Sequence, residues 1–439
     1  MIRLDRNTGM AACWWRTSFP SLALFILTAA FIVTKTGRDA LFFEADGIAD
    51  LPKAYLLLAV LSVPAASGTL GLMRLFGPRR ARVLSLLMMA ALQVAAAPLV
   101  PGGGKWGMTL FFVSIPLLYG VLLSLAWLLG ADLLDQAPRS VLARLYSTMG
   151  AASMLGAMAG GGAARRLAIY AAPQLFLVAG AIGLILAAAV AFAAHRSFPV
   201  AMNAVNDGPA PSTPGGELPA GGSLVELFRR PYTAVLAAIG MISSLVGVMI
   251  EFQFYYAAAA EARDGRHALR LFADFYLILN GVAATIQIFV TPGLQRLLGV
   301  HRSLLILPGT LVAAASVCAA TATALARAGL RVAEGGLKSS VHRSNWEQAF
   351  LPLDRASRPA AKLLVDGVAA RIGEGLAAGI LLAAMGAPNR GTDWMNSVLI
   401  GGSAVWLALT AVLIGLRDSP GLLRFAAEEL RPDLPIPDG

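Results

Sequence analysis

The sequence predicts an all-α polytopic membrane protein with twelve transmembrane helices in two parallel six-helix repeats. Three observations carry this. Of 439 residues, 57% are hydrophobic and only 14% are charged, far outside the composition of soluble domains. Apolar runs of about 18–25 residues recur along the whole chain, each long enough to cross a hydrocarbon core of about 30 Å. Three short landmarks also occur twice, in the same order, about 219 residues apart.

The spans centre near Leu24, Ala59, Ala90, Leu117, Leu155, Ile182, Ile239, Leu279, Val312, Ser339, Leu376 and Trp406. The first begins in MIRLDRNTGMAACWWRTSFPS, which has basic residues before a long apolar run and no small-residue cleavage site after it. It reads as an uncleaved span. Cys13 lacks an apolar run before it, so no lipoprotein anchor is expected. With Cys318 as the only other cysteine, no disulfide framework or thiol metal site is expected either. Arg3, Arg6, Arg16, Arg74, Arg79, Arg80, Arg82, Arg229 and Arg230 fall on the side of the N-terminus. The positive-inside rule therefore places both termini in the cytoplasm. The net charge of +10 is spread over these short orienting loops, which argues against nucleic acid as a partner.

The landmarks fix the domain organisation. Arg74-Leu75-Phe76-Gly77 after the second span returns as Arg296-Leu297-Leu298-Gly299 after the eighth. Leu134-Asp135-Gln136-Ala137-Pro138-Arg139 before the fifth returns as Leu353-Asp354-Arg355-Ala356-Ser357-Arg358 before the eleventh. Gly156 and Gly160 return as Gly375 and Gly379. Repeats offset by six spans share one orientation, as in the two halves of the major facilitator superfamily. The expected bundles are 1–195 and 227–418. Between them, 196–226 reads as a flexible cytoplasmic linker because NDGPAPSTPGGELPAGG has almost nothing apolar to bury. Residues 419–439 form a cytoplasmic tail. The glycines of the fifth and eleventh spans are expected to let helices approach closely.

Four polar constellations stand out, because a charge at bilayer depth costs about 2.5–3.5 kcal/mol. In Thr34-Lys35-Thr36-Gly37-Arg38-Asp39, Lys35 and Asp39 share a helix face if the first helix continues. Otherwise Lys35 snorkels and Arg38 and Asp39 lie in an exposed loop. Glu251-Phe252-Gln253-Phe254-Tyr255-Tyr256 sets an acid among aromatics that can stack on a ligand or form an interfacial belt. In the weak tenth span, about Leu325–Leu351, Arg331, Glu334, Lys338, His342 and Asn345 form one polar stripe, with Arg343 and Glu347 on an adjoining face. That pattern suits a cavity-lining helix, or an amphipathic segment that never spans. In the eleventh, Lys362 and Asp366 are spaced to pair, as are Arg371 and Glu374. Unless Glu374 satisfies it, the Arg371 guanidinium needs a partner from another helix or from a solute.

No phosphate loop, HExxH, GxSxG or metal-ligand spacing occurs, so neither an enzyme nor a metal or cofactor is expected. The chain does resemble the bacterial and plastid ATP/ADP translocase family of nucleotide exchangers, within the major facilitator architecture, and is closer to their bacterial relatives. The matching segments are Arg38-Asp39-Ala40-Leu41-Phe42 with Leu51-Pro52, Arg144-Leu145-Tyr146, Glu251-Phe252-Gln253-Phe254, Ser340-Val341-His342-Arg343-Ser344, Glu347, Leu351-Pro352-Leu353, Ala361-Lys362, and Asp366 through Arg371 to Gly373. Relatives often carry a lysine soon after the seventh-span acid, where Tyr255 and Tyr256 stand here.

This resemblance and the charge pattern imply a monomeric, multi-pass transporter of the bacterial inner membrane. It would move a small anionic solute by alternating access, with ATP/ADP-like exchange as the leading case. Lys35, Arg38, Lys338, Arg343 and Arg371 would bind the solute. Asp39, Glu251, Glu347 and Asp366 would balance charge or couple ions, and Gln253, Tyr255, His342 and Asn345 would line the cavity. Two alternatives stay open: a proton-coupled exporter of amphipathic compounds with Glu251 as coupler, and a non-transporting membrane partner that keeps the fold.

Overall fold

The computed structural model describes residues 6–44, 47–99, 104–134, 139–198, 229–261, 265–350, 352–353, 361–385 and 393–417. Most of the expected linker, the tail and the repeated aspartates Asp135 and Asp354 lie outside them. The helices are α1 (Arg6–Glu44), α2 (Gly47–Leu99), α3 (Gly104–Leu134), α4 (Arg139–Tyr170), α5 (Pro173–Ser197), α6 (Pro231–Glu261), α7 (Gly265–Thr285), α8 (Thr291–Arg302), α9 (Ile306–Thr321), α10 (Ala324–Leu337), α11 (Arg343–Gln348), α12 (Ala370–Met385) and α13 (Asp393–Arg417). There is no strand among the described residues. In hydrocarbon every backbone polar group needs an internal partner, and helices supply one within the segment.

The 53-residue α2 is two crossings separated at Gly77, where φ is 74° and ψ 157°. The 56-residue apolar stretch Arg266–Thr321 likewise divides at Gly299, with φ 74° and ψ 168°. These are the paired glycines of the repeat, and they adopt the same conformation. That region is open almost only to glycine, so the residue type ends one crossing and starts the next. Ala322, left-handed at φ 51°, closes α9, and Thr323 caps α10 by accepting from the Ala326 amide at 3.2 Å. Among the described residues eight stretches are long and apolar enough to cross a membrane; dividing the longest at Gly299 and adding α4, the first half of α2 and α10–α11 gives the twelve expected from the sequence. Gly77→Ala and Gly299→Ala are each expected to cost about 1–3 kcal/mol. Thermal melts in detergent would read this, with helical, uncrowded Gly120→Ala as the neutral control.

Three crossings contain π turns, at Ile286–Val290, Lys338–His342 and Leu363–Ala369. Such turns rotate all that follows and often mark functional positions.

Contacts divide the chain into two compact units. One comprises Met1–Pro211 and Phe254–Ile288, the other Ser212–Gln253 and Phe289–Gly439, so the boundary falls inside α6. In the first unit α1 packs against α3, α4, α5 and α7. Glycines make the closest approaches: a Cβ on Gly156 would lie 2.7 Å from the Phe25 Cα, on Gly160 2.8 Å from the Ala29 Cα, and on Gly161 2.7 Å from the Leu277 Cα. In the second unit α9 packs against α10 and α13, and Gly373 would meet the Met241 backbone of α6. The expected counterparts Gly375 and Gly379 have open space around them. The π turn upstream of α12 shifts its register, and Gly373 takes the close-packing position instead.

Candidate functional site

In the first unit, α1 stays helical past the Arg38-Asp39 motif to Glu44, which excludes the exposed-loop alternative. Asp39 is fully buried and Arg38 is 3% exposed. Arg38 Nε donates to Asp39 Oδ1 at 2.7 Å, its second amino group also holds that carboxylate, and its other one donates to the Phe112 carbonyl at 3.3 Å. On the opposite side Tyr255 donates to Asp39 Oδ2 at 2.9 Å, and the Tyr276 hydroxyl donates to the same oxygen. The two hydroxyls lie 3.0 Å apart. Asp39 thus collects donors from α1, α6 and α7. Lys35, on the same helix face as Asp39, places its ammonium 4.7 Å from the Tyr276 ring centre, while Arg38 lies 4.0 Å from that of Phe112. Both are cation–π distances. Tyr276 was not expected from the sequence; it stands out only as a hydroxyl in the apolar run of α7.

Two further polar clusters in this unit escaped sequence reading. Buried Arg82, counted among the orienting loop arginines, is ion-paired with Asp132 of α3. The one available signal was a lone acid near the end of an apolar run. Thr34, Gln93 and Tyr119 form a buried triangle, with Gln93 Nε2 donating to the Tyr119 hydroxyl at 3.0 Å and Thr34 3.1 Å from that hydroxyl.

In the second unit the expected stripe of α10 forms a chain of ion pairs. Arg331 bridges Glu251 of α6, at 2.9 Å, to Glu334 one turn on. Glu334, 2% exposed, also holds Lys338 at 3.0 Å. Gly247 makes room for this, since a Cβ there would fall 2.9 Å from Lys338 Nζ. Two acids and two bases therefore cancel. The partners across helices are 80 residues apart in sequence, which no spacing rule reveals.

The π turn at Lys338–His342 then separates this chain from the rest of the stripe. His342 is buried, stacked on Trp346 at 5.6 Å and edge-on to Trp406 at 5.4 Å. Buried Asn345 accepts from Gln295 at 2.9 Å. Gln253 donates to Asn396 at 2.7 Å. Asp366 accepts from the Trp346 indole at 3.0 Å. Lys362 lies 5.9 Å from the Phe350 ring centre. Arg343 is exposed, and the Glu347 side chain lies outside the described residues. Arg371 is satisfied by Glu374, one turn on, at 2.6 Å; its need for a partner from another helix is thereby removed. Among the described residues no group of three or more His, Cys, Asp or Glu is placed to hold a metal ion.

No protein-family model matches the chain, and no curated protein matches it by sequence. Solved structures do. The crystal structure of the nucleoside transporter NupG matches with a TM-score of 0.64 at 12% identity, covering 92% of this chain and 99% of that one. An aspartate-to-alanine variant of NupG gives 0.66 at 13% identity, with coverages of 91% and 99%. Likeness at that identity shows the fold, which is the major facilitator type over nearly the whole length. The resemblance to ATP/ADP translocases rests on its short motifs alone.

Proposed function

We propose that this chain is a secondary transporter of a small polar solute, and that its substrate class is nucleosides. One observation carries the choice: four cations of the polar constellations are answered by acids. Arg38 sits on Asp39, Arg331 on Glu251 and Glu334, Lys338 on Glu334, and Arg371 on Glu374. Charge balance within each unit, beside amides and aromatic rings, suits a neutral solute that carries hydroxyls and a stacking base. The fold likeness to a nucleoside transporter supports the same class. Movement would follow alternating access, as expected for repeats of this topology. In that cycle the Asp39 hydrogen bonds to Tyr255 and Tyr276 serve as a latch.

Nucleotide exchange is the second reading. It is supported by the translocase-like motifs and by the partial exposure of the Lys338 and Arg371 side chains, 43% and 37%. Those ends are placed to meet a phosphate without first breaking a fully buried pair.

Proteoliposomes separate the two. The expected result is saturable uptake of labelled uridine or adenosine, competed by unlabelled nucleoside and indifferent to internal ADP. ATP uptake stimulated by internal ADP, with nucleosides inert, would replace the first reading by the second. Inertness to both would favour the exporter or the non-transporting partner.

A further inference from the structure

An edge of the first unit carries a cationic cluster that the transport reading does not use. Helices α4 and α7 pack together, with Gly161 against the Leu277 backbone and Arg165 Nε 2.7 Å from Asp274 Oδ1. As the position rises along α4 it falls along α7, so the helices are antiparallel. The last residues of α4, Arg166 to Tyr170, therefore run beside the first turns of α7, Arg266 to Arg270. Arg165, Arg166, Arg266 and Arg270 are all exposed. Asp274 engages Arg165 alone, and Arg166, Arg266 and Arg270 have no acidic partner among the described residues. Among the described residues the nearest other acid in sequence, Glu261 at the end of α6, is exposed; Asp264 lies outside them. Beside these cations Ile169 and Tyr170 are 52% and 86% exposed.

Exposed arginines next to an exposed aliphatic side chain and a tyrosine, at the ends of membrane-crossing helices, match the layering of a phospholipid. Guanidinium groups hold phosphate bidentately, and an interfacial tyrosine and isoleucine accommodate the glycerol and the upper acyl chain. We infer that this edge binds the headgroup phosphate of an anionic phospholipid, with Arg166 and Arg270 as its principal contacts. A neutral zwitterionic headgroup gains less here, because its own cation meets three exposed arginines.

The test uses the full chain purified in detergent and doped with dioleoylphosphatidylglycerol or dioleoylphosphatidylcholine, reading retained lipid by native mass spectrometry and stability by thermal melt. Wild type is expected to retain phosphatidylglycerol preferentially and to melt later with it. Each interfacial arginine contributes about fivefold in affinity, so Arg166→Gln with Arg270→Gln is expected to cut the preference by about 25-fold. The variant Arg166→Lys with Arg270→Lys, which folds under the same charge load, is expected to keep most of it. Equal retention of both lipids by wild type, or an undiminished preference in the glutamine variant, would overturn the inference. So would full displacement of the lipid by millimolar glycerol 3-phosphate, which would make this a site for soluble phosphates.

Discussion

Asp39→Ala is expected to destabilise the protein by about 3–5 kcal/mol, the cost of removing one member of a buried ion pair, and to abolish uptake. The substitution strands a guanidinium that is 3% exposed and removes the carboxylate oxygen to which both Tyr255 and Tyr276 donate. Asp39→Asn keeps an acceptor for the tyrosines and is expected to fold better than the alanine variant while still failing to transport. A paired replacement distinguishes structural from functional loss. Arg38→Met with Asp39→Leu removes both charges, and buried pairs exchanged for apolar groups of similar volume are often neutral for stability. Melts in detergent combined with proteoliposome uptake are expected to show a near-normal melting temperature with no transport. Normal transport by that double variant would remove the latch from the mechanism.

The second large effect lies in packing. Gly156→Leu is expected to cost about 3 kcal/mol or to yield no folded protein, because backbone stands in its way beside the Thr28 hydroxyl, with the Phe25 Cα 2.7 Å from any added Cβ. Side chains can turn aside, whereas a packed helix backbone cannot. Its sequence counterpart behaves oppositely. Gly375→Ala meets nothing within 4 Å and is expected to be neutral, or to stabilise by about 0.4–1 kcal/mol through reduced freedom of the unfolded chain. Size-exclusion profiles and melting temperatures of the two variants check both halves of this contrast.

These cases show where sequence reading succeeds and where it stops. Gly77 and Gly299 were legible because a duplicated motif carried a residue type with a unique backbone role. The Arg38-Asp39 motif was legible as costly charge, and Tyr255 as a neighbouring ring. Tyr276 and the Arg82–Asp132 pair were not, since partners 237 and 50 residues away leave no local periodicity. Arg331, Glu334 and Lys338 follow helical spacing and were read as one face. Spacing also allowed Glu374 to satisfy Arg371 but could not decide between that and a more distant partner. The equivalence of Gly375 with Gly156 failed because a π turn changes register without leaving a mark in composition.

The ion pairs also bear on how the chain enters the bilayer during synthesis. Arg38 and Asp39 are adjacent, so α1 can be delivered to the lipid with that charge already answered. Span ten is only partly self-sufficient: Arg331 and Lys338 share a single acid, Glu334, and the surplus positive charge waits for Glu251. Glu251 was made eighty residues earlier. A nascent polypeptide that has passed α6 but not yet reached Arg331 holds that carboxylate without this arginine. Completion of α10 supplies it, so a helix too polar to insert readily by itself is drawn in by one already waiting.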